Sequence, residues 1–438
     1  MANATDTERF SGTESLRAFI DSLDEAEWIR NLRIQALDRF GGMEWPTRED
    51  EQWRRSDISS YDFDAYEYGA AVDGTHVSAS PEAAGEDAAS SSLGSRGPGG
   101  SARPTDVSIV SLGDFFRTTD GPIVAAVQDL LARRIAEAEH KVELWRYITM
   151  AGGAVVHIPS FVEMDEPIVV HHTEDGDEVL ASRQTIVVAE PGARATVVVG
   201  VDGPEDGEVI VNYGVDILAR DGAAVKLSTY QSINIDGSVF ARVNAFLSKD
   251  AAVEIVSADF GGLFVKRESR IVLEGRGADA FAGGLYFPFE DQHMDVRSVQ
   301  HHRAPDTSSR AFFKGAVKDE GRSVYQGMIE VDHDAPRTDA FLENKNLVLN
   351  DGARADSIPS LQIRTNDVRC SHGSTTGKID PGHVYYLMTR GLTEGEAKAL
   401  VLEGFFEEIV SRSAPTLHDT LRGMLADRIL AEQEDDED

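Results

Sequence analysis

Apolar residues near the N-terminus recur at steps of three and four positions. The first series comprises Ile29, Leu32, Ala36 and Phe40, and the second comprises Ile123, Val127, Leu130, Leu131 and Ile135. This spacing places the apolar side chains on one face of a helix. The glycine pair at positions 41 and 42 follows the first series and is a typical stop signal. The pattern therefore predicts a helical N-terminal region.

From about residue 154 onward the chain changes to short apolar or alternating runs. The runs are 154–158, 168–171, 185–188, 196–199, 209–211, 215–218, 225–227, 253–256, 271–273 and 347–349. Runs of this length, without a convincing long helix between them, are typical of strands. The middle of the chain is therefore predicted to be all β.

A small turn unit recurs between these runs. It reads Pro191-Gly192-Ala193, Asp221-Gly222-Ala223, Asp250-Ala251-Ala252, Arg276-Gly277-Ala278 and Asp351-Gly352-Ala353. The first four Gly or Ala positions, at 192, 222, 251 and 277, lie 30, 29 and 26 residues apart. Such a period indicates stacked β coils that bury their apolar faces against their neighbours. We expect a mainly β protein with a right-handed parallel β-helix core, and a β-sandwich is the alternative on pattern alone.

After about residue 381 the three- and four-residue spacing returns. One stripe comprises Ala397, Leu400, Val401, Phe405 and Ile409, and a second comprises Leu417, Leu421, Met424, Leu425 and Ile429. The C-terminal part is therefore predicted to be helical, and it ends in an acidic tail.

The residues between 70 and 104 are rich in Ser, Gly, Ala and Pro and carry few large apolar side chains. Such a segment buries too little surface to offset the entropy of ordering, so we predict a flexible insert. The expected organisation is a helical N-terminal region (1–69), the insert (70–104), a helical segment leading into the core (105–150), the β-helix core (151–380) and a helical C-terminal region with the acidic tail (381–438).

The charge balance narrows the range of partners. Lys and Arg number 42 against 76 Asp and Glu, which gives a net charge of −34. This charge disfavours nucleic acids and other phosphate polyanions. Acidic residues spread along the whole chain predict a protein of a halophile with a high-salt cytoplasm, where salt screens the repulsion. An ordinary acidic cytosolic protein is the alternative.

No apolar run reaches the roughly 18 residues that a membrane span needs, and the N-terminus lacks the basic and apolar regions of a signal peptide. We therefore expect a cytoplasmic protein without a membrane partner.

Cys370 is the single cysteine. This count excludes an intrachain disulfide and a self-contained Cys₄ zinc or iron–sulfur site.

Three stretches carry a family resemblance. They are Pro46 to Asp57 (PTREDEQWRRSD), Asp295 through GRSVYQG to Asp339, and PSLQI at 359–363 followed by Val368 to Asp380 (VRCSHGSTTGKID) and YYLMTRG at 385–391. Read together, they resemble the SufB/SufD family of iron–sulfur cluster assembly scaffolds, and the third stretch is the most specific. The Cys-Ser-His-Gly form at 370–373 is similar to SufD-type chains, whereas SufB-type chains usually have a Glu-His-Glu form. SufB-type chains also carry a cysteine on the strand that here reads NDGA at 350–353.

The resemblance implies a right-handed parallel β-helix with helical flanking regions. It also implies a SUF complex that pairs a SufB-type subunit with a SufD-type subunit, carries the SufC ATPase, and builds or supports a nascent iron–sulfur cluster. The SufC ATPase is expected to dock on the C-terminal helices around residues 397–409, and the β-helix to support pairing of scaffolds, including a possible homodimer. A transient iron–sulfur cluster or iron would then lie at a subunit interface.

The candidate metal ligands are His372 and Cys370. Neutral imidazole and thiolate both bind iron, and two residues apart on an extended segment they would face the same side. The alternatives are a hydrogen-bonded structural histidine and a cysteine that only packs. A second cluster of His293, His301 and His302 is disfavoured because adjacent strand residues point to opposite faces.

The segment Gly373 to Ile379 resembles a phosphate-binding loop only superficially. Its glycines are one residue too close, and Ile379 replaces the required Ser or Thr. We therefore expect no nucleotide on this chain and ATP hydrolysis on a partner, so that the chain is a scaffold and not an enzyme. A β-helix carbohydrate-active enzyme and a purely structural dimerisation module are the competing functions.

Overall fold

The computed structural model describes residues 13–61, 63, 66–68, 75–78, 107–174, 176–204 and 206–435. Two parallel sheets face each other across an apolar core, and helices cover both outer surfaces. Apart from Thr75–Ser78, which form a strand, the segment 70–104 that the sequence predicts to be a flexible insert lies outside the described residues.

The N-terminal part contains five helices and three short strands among its described residues. They are α1 (Thr13–Ser22), α2 (Glu27–Gly41), β1 (Glu67–Tyr68), β2 (Thr75–Ser78), β3 (Ser108–Ser111), α3 (Leu112–Phe116), α4 (Pro122–Glu137) and α5 (Lys141–Thr149). The two helices predicted from apolar spacing, α2 and α4, are confirmed, and α2 ends at the predicted glycine pair. Residues Trp45, Phe63 and Trp145 pack ring against ring between these helices and the solenoid.

The middle of the chain forms a parallel β-helix, which confirms the predicted fold class. Sheet 1 contains the parallel strands β4 (Gly152–Ile158), β6 (Val179–Ala189), β8 (Val209–Ala219), β10 (Ser238–Leu247), β12 (Phe264–Leu273), β14 (His293–His302), β16 (Arg322–Val331) and β18 (Arg354–Ile363). Sheet 2 contains β5 (Ile168–Thr173), β7 (Arg194–Asp202), β9 (Ala224–Ser232), β11 (Ala252–Asp259), β13 (Asp279–Tyr286), β15 (Ser308–Val317), β17 (Thr338–Val348) and β19 (Val368–Gly377). Each coil contributes one strand to each sheet.

Apolar side chains stack in columns inside the solenoid. One column comprises Val156, Val187, Ile217, Ala245 and Ile271, each paired with the next through the parallel register and each fully buried. Stacking of this kind buries every coil against its neighbours. The fold therefore depends on repetition along the chain, as the turn period predicts.

The predicted turn unit marks one corner of the solenoid. The residues Gly192, Gly222 and Gly277 have φ values of +72°, +67° and +77°, and Asp250 takes the same position in its coil with φ +54°. The amide of Gly192 donates to Asp221 O, and that of Gly222 to Lys249 O, so the turns hydrogen-bond to one another. The left-handed backbone explains the glycine preference at this corner.

Two sequence assignments at the turns are wrong. Asp250, and not Ala251, is equivalent to Gly222, because Ala251 is buried like Ala223 and the positive φ falls one residue earlier. The fifth unit, at 351–353, lies at the opposite corner between β17 and β18, since the chain there passes from sheet 2 to sheet 1. The runs 209–211 and 215–218 also belong to one strand, β8, because Gly214 continues the pairing without a break.

The C-terminal helices return along the outer surface of sheet 2. They are α6 (Pro381–Met388), α7 (Glu394–Val410) and α8 (His418–Asp435), with a 3₁₀ turn at Pro415–Leu417. Helix α7 begins with a capping box between Thr393 and Glu396, and Phe406 packs on Phe287 with ring centroids 6.1 Å apart. The predicted helical C-terminal region is thus present. Within the described ranges, no helix has both the length and the apolar character to cross a membrane.

Candidate functional site

Cys370 and His372 lie on β19, the last strand of the solenoid. In the parallel register Cys370 is opposite Ala340 and His372 is opposite Leu342. Ala340 and Leu342 are buried core residues of β17. Because paired residues in neighbouring strands share a face, both candidate ligands lie on the side of the strand that faces the solenoid interior. The two-residue spacing thus places them together.

The two ends of the solenoid differ. At the N-terminal end, β3 pairs antiparallel with β4 and β2 pairs antiparallel with β5, so both sheets are capped. At the C-terminal end, β18 and β19 are the outermost strands, and no other described strand pairs with their outer edges. Leu361 and Ile363, whose partners Ile329 and Val331 belong to the core, are each 38% exposed. The apolar interior is therefore open at this end.

The thiol of Cys370 is partly covered. Its side chain packs against the solenoid core, and burial raises the pKa of the thiol, although a hydrogen bond from the Ala340 backbone acts in the opposite direction. A thiol of raised pKa is protonated near neutral pH. Because the thiolate is the metal-binding form, coordination by Cys370 would require loss of this proton.

His372 is exposed to solvent, in contrast to Cys370. Beyond it on the same side of β19 follow Ser374 and Thr376, which pair with Asn344 and Asn346. The open coil thus offers one imidazole, one thiol and hydroxyl groups. In the described parts of the chain, no group of three or more His, Cys, Asp or Glu residues is arranged to hold a metal ion.

The segment NDGA at 350–353 lies in the turn between β17 and β18, and not on a strand.

The segment Gly373 to Ile379, which superficially resembles a phosphate-binding loop, differs from a nucleotide site in geometry. Residues 373–377 lie within β19, whereas a phosphate-binding loop connects a strand to a helix N-terminus.

The remaining candidate histidines are held apart. His302 points inward, where its ring nitrogens contact the hydroxyls of Thr307 and Ser309 at 2.8 Å each. His301 points outward, with Nε2 at 3.2 Å from Asp332 and Nδ1 at 3.4 Å from Glu330. The expectation that adjacent histidines face opposite sides is confirmed, and the second cluster does not assemble.

The C-terminal helices present a surface that differs from the predicted stripe. Ala397 and Ile409 are fully buried and Phe405 is partly buried, because this side of α7 packs on sheet 2. The exposed large apolar residues lie instead on α6 and the start of α7. They are Tyr385 (70% exposed), Tyr386 (56%), Met388 (41%) and Leu400 (47%). Helical spacing alone predicted only Leu400 among these four residues, whereas Tyr385, Tyr386 and Met388 belong to the Tyr-Tyr-Leu-Met sequence of the family resemblance.

Comparison with known proteins is consistent with this architecture. The family model for the SUF system FeS cluster assembly, SufBD core domain, matches residues 171–405. An iron–sulfur cluster assembly SufBD family protein of Mycobacterium bovis is 33% identical over 268 residues, which cover 59% of this chain and 66% of that protein, just under two thirds of its length. A protein of the same description from Staphylococcus saprophyticus is 23% identical over 417 residues, covering 90% of this chain and 88% of the relative.

The parallel β-helix and these matches define the class of proteins that contain the SufBD core domain. More specifically, the chain belongs to the SufBD family, and the matched core domain extends from β5 in the solenoid to α7.

Proposed function

We propose that the chain is the SufD-type scaffold subunit of a SUF complex and acts with a SufB-type scaffold and a SufC-type ATPase. The observation that carries the proposal is the position of Cys370 and His372 on the interior side of an open terminal coil. The Cys-Ser-His-Gly sequence supports the SufD type over the SufB type, as does the absence of cysteine from 350–353.

An incomplete ligand set supports a site shared between subunits. Iron–sulfur clusters are commonly held by four cysteine thiolates, and β19 supplies one thiol and one imidazole. A partner that covers the open coil would add its own ligands and would remove Leu361 and Ile363 from water. The cluster or iron is the cargo of this site, held transiently while it is built.

The strand edges support a partner that also contains a β-helix. β18 and β19 each present ten residues at an unpaired edge within the described structure. Exposed edges of this length favour pairing with another chain. A SufB-type β-helix fits this edge in our proposal, and a second copy of this chain would use the same surface.

The ATPase is proposed to bind the exposed apolar surface formed by Tyr385, Tyr386, Met388 and Leu400. This surface lies on helices that are anchored to sheet 2, so that a force or movement applied there would be transmitted to the solenoid. The chain itself is proposed to be a cytoplasmic scaffold without nucleotide chemistry of its own.

A pull-down from the native organism at its own salt concentration tests the proposal. The bait is the full chain with an affinity tag, and bound chains are identified by mass spectrometry. We expect a SufB-type scaffold and an ABC-type ATPase in stoichiometric amounts. Recovery of only the bait, as a homodimer without ATPase, would contradict the assignment as a subunit of a SUF complex.

A further inference from the structure

Two histidines lie opposite each other at the N-terminal end of sheet 2. Strand β2 pairs antiparallel with β5, and His76 is the direct partner of His171 in this register. Direct partners on antiparallel strands share a face of the sheet, with Cβ atoms about 4.5–5.5 Å apart. The next pair, Thr75 and His172, points inward, where Thr75 Oγ1 lies 3.0 Å from the buried His172 Nδ1. Because successive residues of a strand point to opposite faces, His76 and His171 both lie on the outer face.

A carboxylate occupies one ring nitrogen of His171. Nε2 of this histidine lies 2.7 Å from Asp202 Oδ2 on β7. The order of strands places β5 between β7 and β2, so Asp202 lies on one side of His171 and His76 on the other. The two nitrogens of an imidazole ring point away from each other. A hydrogen bond from Nε2 to Asp202 therefore leaves Nδ1 with a free lone pair that faces away from Asp202.

Packing also fixes the ring of His171. Tyr230 on β9 stacks against it, with ring centroids 6.3 Å apart and an interplanar angle of 30°. Gly200 on β7 lies between the two rings in register and makes room for this contact, because a Cβ atom there would be 2.6 Å from the Tyr230 ring. His76 is exposed, and its side chain forms no hydrogen bond or ion pair with the residues that the structure describes. The pair thus combines a fixed imidazole with a free one.

The chemistry of the pair selects its ligand. Imidazole nitrogen binds Zn²⁺, Ni²⁺ and Cu²⁺, whereas Mg²⁺ and Ca²⁺ prefer oxygen. A histidine that binds a metal usually donates its other N–H to a carboxylate, which is the arrangement of His171 and Asp202. Within the described ranges no third His, Cys, Asp or Glu completes a metal-binding group, so water would take the remaining positions. The net charge of −34 favours cations in general.

We propose that His76 and His171 bind one divalent transition-metal ion between β2 and β5, with Asp202 as the positioning residue of His171. The site lies at the opposite end of the solenoid from Cys370 and His372 and is independent of them. Since one ligand comes from each strand, the metal ties the capping strand β2 to the first coil. A metal that binds only the folded chain also stabilises it.

Isothermal titration calorimetry of the full chain with Ni²⁺ tests the proposal, and Mg²⁺ is the comparison. We expect a saturable Ni²⁺ site that the Cys370→Ser/His372→Ala double variant retains and that His76→Gln or His171→Gln removes. Asp202→Asn should weaken Ni²⁺ binding about 10- to 100-fold, the usual effect of a change beside a metal-ligating histidine. Mg²⁺ should not displace Ni²⁺, and Ni²⁺ should raise the melting temperature of the wild type but not that of His76→Gln.

His333→Gln is the matched control. The His333 side chain is 87% exposed at a distant turn, so its loss should leave Ni²⁺ binding unchanged. Wild-type Ni²⁺ affinity in His76→Gln would overturn the proposal, as would an equal loss in His333→Gln, which would indicate binding to surface histidines in general. If His171→Gln does not fold, His76→Gln decides the question, because the His76 side chain is exposed and supports no described contact.

Discussion

The guanidinium of Arg242 on β10 lies 3.1 Å from the carboxylate of Glu143 on α5. Both side chains are buried, and Arg242 also lies 3.0 Å from Glu268 on β12. Burial opposes ionisation of Glu143, but Arg242 and Arg134 outweigh it and lower the pKa of this carboxyl to about 2. An ionic network therefore joins the N-terminal helices to sheet 1.

Replacement of Arg242 by Ala should destabilise the protein strongly. The change leaves Glu143 and Glu268 buried with fewer counter-charges, and loss of one partner from a buried pair typically costs about 3–5 kcal/mol. Chemical denaturation at neutral pH measures the loss. Arg422→Ala is the matched control, because Arg422 pairs with Glu407 at 2.7 Å while both are about half exposed, and such a pair contributes about 0–1 kcal/mol. Equal losses in the two variants would contradict the network.

Acid should weaken the fold through buried histidines. Burial, with a smaller effect from His301, lowers the pKa of His302 to about 3. His302 therefore takes up a proton near pH 6.5 in the unfolded chain but stays neutral in the folded chain. The free energy of unfolding decreases as the pH falls below that value. At pH 5 this single residue should account for a loss of about 2 kcal/mol.

His302→Gln tests this prediction, because it removes the titration and retains a polar side chain beside Thr307 and Ser309. The free energy of unfolding is measured at pH 7 and pH 5 for both proteins. The wild type should lose more stability than the variant over this interval. An identical loss would show that His302 does not contribute, and that other groups such as His172, whose pKa burial also lowers to about 3, carry the effect.

Salt should stabilise the folded chain. With a net charge of −34, the self-repulsion grows as the Debye length increases from about 3 Å at 1 M salt to about 10 Å at 0.1 M. The melting temperature should therefore fall as salt is lowered through this range. A constant melting temperature would contradict the prediction of a halophilic protein and favour an ordinary acidic one.

The proposed ATPase surface predicts a loss of binding without a loss of folding. Tyr385→Ala combined with Leu400→Ser should weaken ATPase binding, because these exposed side chains do not support the core. Leu347→Ala, which alters the partly buried contact between sheet 2 and the C-terminal helices, is the comparison that should affect stability more than binding. Normal ATPase affinity in the folded double variant would show that the ATPase binds a different surface of the chain.

The sequence revealed the fold class but not most of the later strands. All ten residues of β10 are buried, because one face lies in the solenoid and the other is covered by the N-terminal region. Phe240 and Arg242 therefore both point to the covered outer face, and no alternation of apolar and polar residues remains. Strands with this double burial lack the period-two pattern on which the prediction depends.

The candidate site was predictable only in part. Two-residue spacing places Cys370 and His372 on one side of a strand, since that geometry is local. The open end of the solenoid depends on which strands pair, and among the described strands β18 and β19 pair only with β16 and β17. These pairings join residues about 30 positions apart in the chain, such as Thr338 and Val368, and so leave no local pattern.

We propose that His372 holds or delivers iron or sulfur where the solenoid meets its partner. The measurement is the iron and acid-labile sulfide bound to the purified native complex carrying wild-type chain, His372→Ala, Cys370→Ser or His333→Ala. His333 is the control because its side chain is 87% exposed in a turn of the same solenoid, where its ring pairs with Asp334. Size-exclusion chromatography verifies that each complex is assembled.

We expect normal assembly of all four complexes, a marked fall in iron and sulfide with His372→Ala, a smaller fall with Cys370→Ser, and wild-type content with His333→Ala. Wild-type iron and sulfide in the assembled His372→Ala complex would contradict the proposal and leave His372 with a structural role alone.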